Sequence, residues 1–492
     1  MTTLTDSPAM VALVQTAASL PVFLLGVPSG AIADIVDRRR FFVATQFWVA
    51  AVALLLCVLS LSGLLNASTL LLLTFANGVG MAMRWPVISA LVPEVVPRAQ
   101  LPIALGLNGI AMNASRIIGP ALAGAVIAGV GSVAVFLLNA ALSVLAALAL
   151  MRWQRQQKVS ALPAERFFGA LRVGLQYVRQ SPHLHTILVR IFSFFVFSTA
   201  LTALLPLSAK QLPGGGPATF TLLLALMGSG AIVAMLNLPK VRRYLSRDEL
   251  VRYGTLMHAC ATLAMAFAPN IWVAAPACLV AGMGWITVAN ALTVSAQLAL
   301  PDWVKARGMS VYQMALMGGA ALGAAIWGQV ASATDVRTTM TLAAGGAMLL
   351  LLLLNRVKVG GDTGEDLTPA GAWSQPEVAF AIEPEQGPVV VTITLKIDPV
   401  RHDEFVALME ESRRSRLRNG ALSWGLFRDL SDTGTYVEYF TDESWVEYLR
   451  RQERMTAADI LLREQRLSFH IGSEPPAITR YLAEPTGTIR HG

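Results

Sequence analysis

Apolar residues fill most of the first 355 positions in blocks about as long as a bilayer is thick. A hydrocarbon core of about 30 Å needs roughly 20 apolar residues wound as a helix. On that ruler the pattern predicts about eleven transmembrane helices. They run over 9–32, 41–64, 68–92, 101–128, 132–151, 185–208, 217–238, 250–268, 271–299, 309–332 and 336–355. The block around 70–96 is interrupted by Arg84, Pro86 and Pro93, a break that neighbouring helices can satisfy.

After Asn355 the pattern changes abruptly. Residues 356–386 are rich in Gly, Pro and Glu and read as a linker. Beyond them the period is that of a small water-exposed domain over 387–485. Pro388–Ile397 alternates as a strand, and Pro399–Arg418 is an amphipathic helix. Two strands follow, Ala421–Asp429 and Gly434–Thr441, joined by a turn that starts at Ser431. Glu443–Phe469 is largely helical, and Ala477–Ala483 closes as a strand. This order predicts a small α+β domain of the split βαβ, ferredoxin-like type.

Composition supports the membrane reading. Only 14% of the 492 residues are charged, and the mean hydropathy is +0.56. Water cannot solvate such a surface everywhere, so lipid must cover much of it. The formal charge of +7 does not imply a nucleic-acid partner, because the basic residues lie in loops between apolar blocks. One set of loops holds Arg38, Arg39, Arg40, Arg98, Arg152, Arg155, Lys158, Arg166, Arg172 and Arg179. It continues with Lys240, Arg242, Arg243, Arg247, Lys305, Arg307, Arg356 and Lys358. The intervening loops hold only Lys210 and Arg337. The asymmetry places the basic loops, and everything after Asn355, in the cytoplasm. The start of the chain then lies outside, and it lacks the basic region of a signal peptide. Cys57, Cys260 and Cys278 lie in apolar blocks with no paired spacing, so neither a disulfide framework nor a metal site is expected.

The loop after the first block carries Gly30, Asp34, Asp37, Arg38, Arg39 and Arg40. It resembles the signature G-x-x-x-D-x-x-G-R-R/K that joins the second and third helices of the major facilitator superfamily, with Asp37 in place of the second glycine. The resemblance implies an all-α polytopic fold of two six-helix halves, about 1–152 and 185–355 here. An odd number of spans starting outside is unusual for paired repeats, so the first helix of that fold is expected to be missing. Gly30, Asp34, Arg38 and Arg39 would then form a conformational latch. A further stretch, with Gly119, Pro120 and Gly124, looks like the helix-packing motif of drug and metabolite antiporters in that superfamily. Leu204, Leu205, Pro206 and Leu207, with the run Ala90–Pro97, are similar to the enterobactin-exporter-like, or transmembrane secretion effector, branch.

The resemblance implies a secondary active exporter of a siderophore, drug or related metabolite in the bacterial inner membrane, working by proton antiport. Ionisable residues at membrane depth are costly and mark function. Arg84 and Arg116, with Asn108 and Asn113, would contact an anionic substrate. Coupling needs a group that titrates, and either the missing first helix supplies it or Asp34 and Glu94 take part. Arg190 is expected to snorkel to the cytoplasmic edge, and His258 to serve packing.

In the C-terminal domain, Asn419, Gly420 and Trp424, with Ser444 to Arg450, look like antibiotic-biosynthesis-monooxygenase-like domains. That likeness implies self-association through the sheet, and Trp424, Arg428 and His470 are candidates to line a pocket. The expected partners are the bilayer, a small-molecule substrate and protons, with no cofactor, metal, nucleic acid or catalytic role. The alternative is a membrane-tethered monooxygenase-like enzyme or binding protein with a non-transporting membrane domain. Eleven spans are more than a tether needs.

Overall fold

The computed structural model describes residues 7–35, 37–95, 111, 115, 119, 122–127, 129–152, 167–301, 303–354, 366–370 and 378–484. The helices in chain order are α1 (Pro8–Ile35), α2 (Arg38–Leu61), α3 (Ala67–Val95), α4 (Ser132–Met151), α5 (Phe167–Arg179) and α6 (Pro182–Gln211). They continue with α7 (Pro217–Val241), α8 (Arg247–Ala266), α9 (Ile271–Leu298), α10 (Lys305–Ala333) and α11 (Val336–Leu354). The chain then forms β1 (Val389–Lys396), a 3-10 turn (Pro399–Arg401), α12 (His402–Arg418), β2 (Ser423–Arg428) and β3 (Thr435–Asp442). It ends with α13 (Trp445–Glu453), α14 (Ala457–Leu467) and β4 (Ala477–Leu482).

The chain divides into two compact units. One holds Met1–Lys158, Thr186–Gln297 and Met309–Gly360; the other holds Val159–His185, Leu298–Gly308 and Gly361–Gly492.

Among the described residues of the chain, eight helices are long and apolar enough to cross a membrane. They are fewer than the eleven expected. Most of the 101–128 block lies outside the described residues, though 122–127 is helical. Helices α3 and α8 stand where spans were expected but are not among the eight. Helix α8 carries Arg247, Asp248, Glu249 and Arg252 in its first two turns, which shortens its apolar run.

The helices of this unit turn apolar side chains outward as well as inward. Leu72, Leu236 and Leu352 are exposed, while Leu204, Leu223, Cys278, Ala281 and Met340 are buried together. Helices apolar all round are what a lipid solvent selects. Inside, small residues set the crossings. A Cβ on Gly230 of α7 would lie 1.9 Å from the Leu279 carbonyl oxygen, and one on Gly282 of α9 would lie 1.9 Å from that of Met227. Gly319 and Gly323 of α10 likewise abut the Phe192 and Val196 carbonyls of α6 at 2.4 and 2.3 Å. With no hydrophobic drive between helices in lipid, close backbone approach of this kind supplies the attraction.

The second unit contains a four-stranded antiparallel sheet in the order β2-β3-β1-β4. Val389, Val391, Ile393 and Leu395 of β1 point to one face, with Tyr436 and Phe440 of β3, and bury Phe405 and Met409 of α12. The helix expected over 443–469 is two helices. It breaks because Thr456 caps α14: its hydroxyl accepts the Asp459 N–H, and the Asp459 carboxylate accepts the Thr456 N–H at 3.0 Å. The expected linker is also partly ordered against this domain. Ala457 and Ala458 donate to the carbonyls of Thr368 and Asp366, and Trp445 and Val446 to those of Gln386 and Pro384.

Candidate functional site

The signature turn is built by a helix cap. Asp37 precedes α2, and its carboxylate accepts the Arg40 N–H at 3.0 Å, satisfying a donor that a helix start leaves open. The residue standing at the motif's glycine therefore has a structural task of its own. Arg39 donates to the carbonyl of Met151, the last residue of α4, where a cation meets the negative end of a helix. Gly30 and Asp34 lie in the last two turns of α1, and Arg38 opens α2. The side chains of Asp34 and Arg38 lie outside the described residues, as does that of Glu94.

Helix α1 is the strut on which the region is organised. It crosses α3 at Gly78, where a Cβ would meet the Ala18 carbonyl at 2.9 Å. Ser29 donates to the Ala82 carbonyl at 3.0 Å, two residues from Arg84. Helix α1 also runs along α10. Thr16 donates to the Ala321 carbonyl at 3.0 Å. A Cβ on Gly26 would lie 2.9 Å from Met314, and one on Gly318 would lie 2.7 Å from Phe23. Arg84 is half-buried, with its guanidinium 2.9 Å from the Met81 sulfur. Among the described residues no carboxylate pairs with it. A desolvated cation so placed is electrostatically suited to an anion.

Arg116, Asn108, Asn113 and Pro120 lie outside the described residues. Of the small residues in that motif, Gly119 is helical and exposed, and among the described residues nothing lies within 4 Å of where a Cβ would stand. Gly124 is buried, and its Cβ would lie 2.7 Å from Thr221 of α7. The close approach falls on Gly124 and not on Gly119.

Two residues assigned to snorkelling and packing share a cavity. A space of about 570 Å³, its open side included, between α6, α8 and α11 is lined by Arg190, Ser198, Thr255, His258 and Thr262 among others. Arg190 is 8% exposed, pairs with Asp248 in the first turn of α8 at 3.6 Å and donates to the carbonyl of Leu354, the last residue of α11, at 2.9 Å. His258 Nδ1 lies 3.0 Å from the Ala281 carbonyl oxygen, and its ring meets Phe194 edge-on. The missed signal was Asp248, which reads in sequence as an ordinary acidic residue in the first turn of a helix.

In the sheet domain each proposed pocket residue has its own local partner. Trp424 donates to Glu438 at 3.0 Å. Arg428, at the end of β2, donates to the Thr433 carbonyl at 2.8 Å. His470 accepts the Lys396 N–H at 3.0 Å and lies 2.9 Å from the Glu474 carbonyl oxygen.

Comparison with known proteins places this architecture. The chain is 27% identical over 256 residues to the staphyloferrin A transporter of Staphylococcus aureus, covering 50% of this chain and 62% of that one. It is 23% identical over 253 residues to macrolide efflux protein A of Enterococcus faecalis, covering 51% and 78%. It is 23% identical over 357 residues to the multidrug efflux pump Tap of Mycolicibacterium fortuitum, covering 69% and 84%. The chain thus spans less than two thirds of the staphyloferrin A transporter. Among solved structures, the nucleoside transporter NupG matches with a TM-score of 0.55 at 13% identity, over 73% of this chain and 93% of that one. A bacterial homologue of the human lysosomal transporter Spinster, in an inward-facing and occupied conformation, matches with a TM-score of 0.55 at 14% identity, over 73% and 91%. The family described as transmembrane secretion effector matches residues 1–487, and the chain belongs to it, within the major facilitator transporters.

Proposed function

We propose that the chain exports a small molecule, a siderophore, drug or related metabolite, across the bacterial inner membrane by alternating access coupled to proton antiport. The observation that carries this reading is the seam between α1 and α10. Thr16, Gly26, Gly318 and Phe23 meet there with little between the backbones, as a rocking contact between two halves requires. The names of the related siderophore and drug transporters support the substrate class and direction. Residues 1–355 form the translocating body, in halves of about 1–152 and 185–355. Gly30, Asp34, Arg38 and Arg39 act as the latch, and Glu94 joins Asp34 in coupling. Arg84, Arg116, Asn108 and Asn113 receive an anionic group of the substrate. Residues 387–485 form a cytoplasmic domain, as the loop charges support, and this domain mediates self-association.

The test is accumulation of a fluorescent drug or labelled siderophore in cells expressing the chain. Expression is expected to lower accumulation, and a protonophore to abolish the difference. Asp34→Asn, at equal abundance in the membrane, is expected to reduce export at least about tenfold, because a latch charge acts on the conformational equilibrium. Unchanged export by Asp34→Asn would sink the latch, and accumulation unaffected by the chain would sink the transport reading.

A further inference from the structure

Between the sheet and α12, α13 and α14 lies a cleft of about 610 Å³, its open mouth included. Its floor is apolar, with Val391, Ile393 and Phe440 on the sheet, Leu462 on α14 and Met455 between α13 and α14. Its sides carry Arg416, Arg451, Arg463, Arg466 and Arg480, brought together from four separate elements. The carboxylates beside them are fewer. Glu438 accepts from Arg416 at 3.1 Å and from Arg466 at 2.5 Å. Asp442 binds Arg451 at 2.8 and 3.0 Å. Asp459 is taken up by Arg418 at 3.3 Å, by Ser415, by Asn419 and by the Thr456 cap. Leaving Arg463 aside, four arginines therefore face two carboxylates, an excess of two positive charges.

Two of these arginines, Arg466 and Arg480, line the cleft from α14 and β4. Arg466 is 4% exposed, and its Nη1 serves Glu438, yet its Nε is buried with no acceptor. A buried guanidinium N–H without a partner is costly. Arg480 stands on β4, where the helices leave the strand uncovered, and Ile478 beside it is 43% exposed. Arg480 Nε donates to the Tyr448 hydroxyl at 2.7 Å. Among the described residues no carboxylate pairs with it. The uncovered end of β4 gives the cleft its entrance.

We infer that this cleft binds a small amphiphilic carboxylate, its acid group between Arg466 and Arg480 and its apolar body on Phe440 and Ile478. A carboxylate suits the planar donors of guanidinium. The apolar floor disfavours a bare inorganic anion, and the charge excess disfavours a neutral ligand. The inference stands apart from the transport reading and needs no catalytic step.

The test is calorimetric titration of the full chain in detergent with 2-naphthoate, 2-naphthamide and inorganic phosphate. One equivalent of 2-naphthoate is expected to bind, with 2-naphthamide and phosphate at least about tenfold weaker, the weight of one charge-assisted hydrogen bond. Arg480→Gln, on an exposed strand position, is expected to weaken 2-naphthoate about tenfold. Arg466→Met combined with Glu438→Gln, which strands no carboxylate, is expected to abolish binding. No binding of 2-naphthoate overturns the inference. So does equal binding by the wild type and Arg480→Gln, equal binding of the amide, or phosphate binding as tightly as 2-naphthoate.

Discussion

Glu438 shows how far one residue can depart from its local pattern. It sits in β3 on the same face as Tyr436 and Phe440 and is fully buried. Burial alone would raise its pKa. The charges of Arg416 and Arg466, with hydrogen bonds from Arg416 and Trp424, outweigh that and hold it down at about 2. The folded value lies below the ordinary value of about 4.3. The stability it contributes is therefore fully present above that ordinary value and is lost as pH falls toward 2. Calorimetric melts of the full chain at a series of pH values should show a transition that weakens between about pH 4.5 and pH 2. In Glu438→Gln that dependence should flatten, and stability at neutral pH should fall by roughly 3 kcal/mol because Arg466 loses its charged partner. A wild-type transition with no change across this range would show that the pairing is not what lowers the pKa. The alternation that marks Thr435–Asp442 as a strand is legible in sequence, but the acid's inward direction is not. Its neutralising arginines come from α12 and α14, more than twenty residues away on either side. Asp37 is the opposite case, since an Asp immediately before a helix start is a local cap signal even where it also breaks a motif.

At the scale of elements, the bilayer ruler finds helices because length and hydropathy are properties of a contiguous stretch. The helix expected over 185–208 is α6, Pro182–Gln211, and the polar interruption by Arg84 is absorbed within α3. Crossings are less legible. Many glycines occur in these helices, and only their rotation about the axis decides which one meets a backbone. Gly282 and Gly230 do, across the α7–α9 crossing, whereas a Cβ on Gly345 of α11 would meet nothing within 4 Å. A carbonyl oxygen cannot rotate away as a side chain does, so Gly282→Ala must push α9 off α7. Its yield as a monodisperse peak on size-exclusion chromatography should fall several-fold, reflecting a cost on the order of 1–3 kcal/mol for overpacking. Gly345→Ala should match the wild type, with helix propensity slightly in its favour. Equal yields for the two variants would mean that the α7–α9 crossing is looser than its geometry states. The break between α13 and α14 belongs to this scale as well. Thr456 and Asp459 form a capping pair inside what reads as a continuous helical stretch, and the pattern of apolar positions alone passes over it.

The whole molecule contains an association that no local pattern announces. Residues 159–185 and 298–308 read as cytoplasmic connections between spans, yet they cluster with the C-terminal domain in one compact unit. Helix α5 places Arg172 2.6 Å from Glu443 and Gln176 2.7 Å from the Ala421 carbonyl oxygen. The Tyr177 ring meets Trp303 edge-on at 5.7 Å, and Arg454 lies over the same indole at 5.1 Å. The ion pair is more than a third exposed on each side, so it contributes little. The apolar contacts decide the association: Val173 is 1% and Tyr177 is 2% exposed. Cutting the chain to remove residues 376–492 therefore uncovers an apolar stripe on α5 as well as deleting a domain. The truncated chain is expected to insert in the membrane but to run as aggregates after extraction, because an uncovered apolar patch seeks a partner. Val173→Gln in the truncated chain should restore part of the monodisperse peak. The same substitution in the full chain should lower its melting temperature, since it buries a polar group in the contact. If the truncated chain runs as cleanly as the full one, α5 does not depend on the domain for cover. If Val173→Gln rescues nothing, the aggregation arises elsewhere. Rescue in the short chain together with damage in the long one is the pattern that only a shared apolar contact produces.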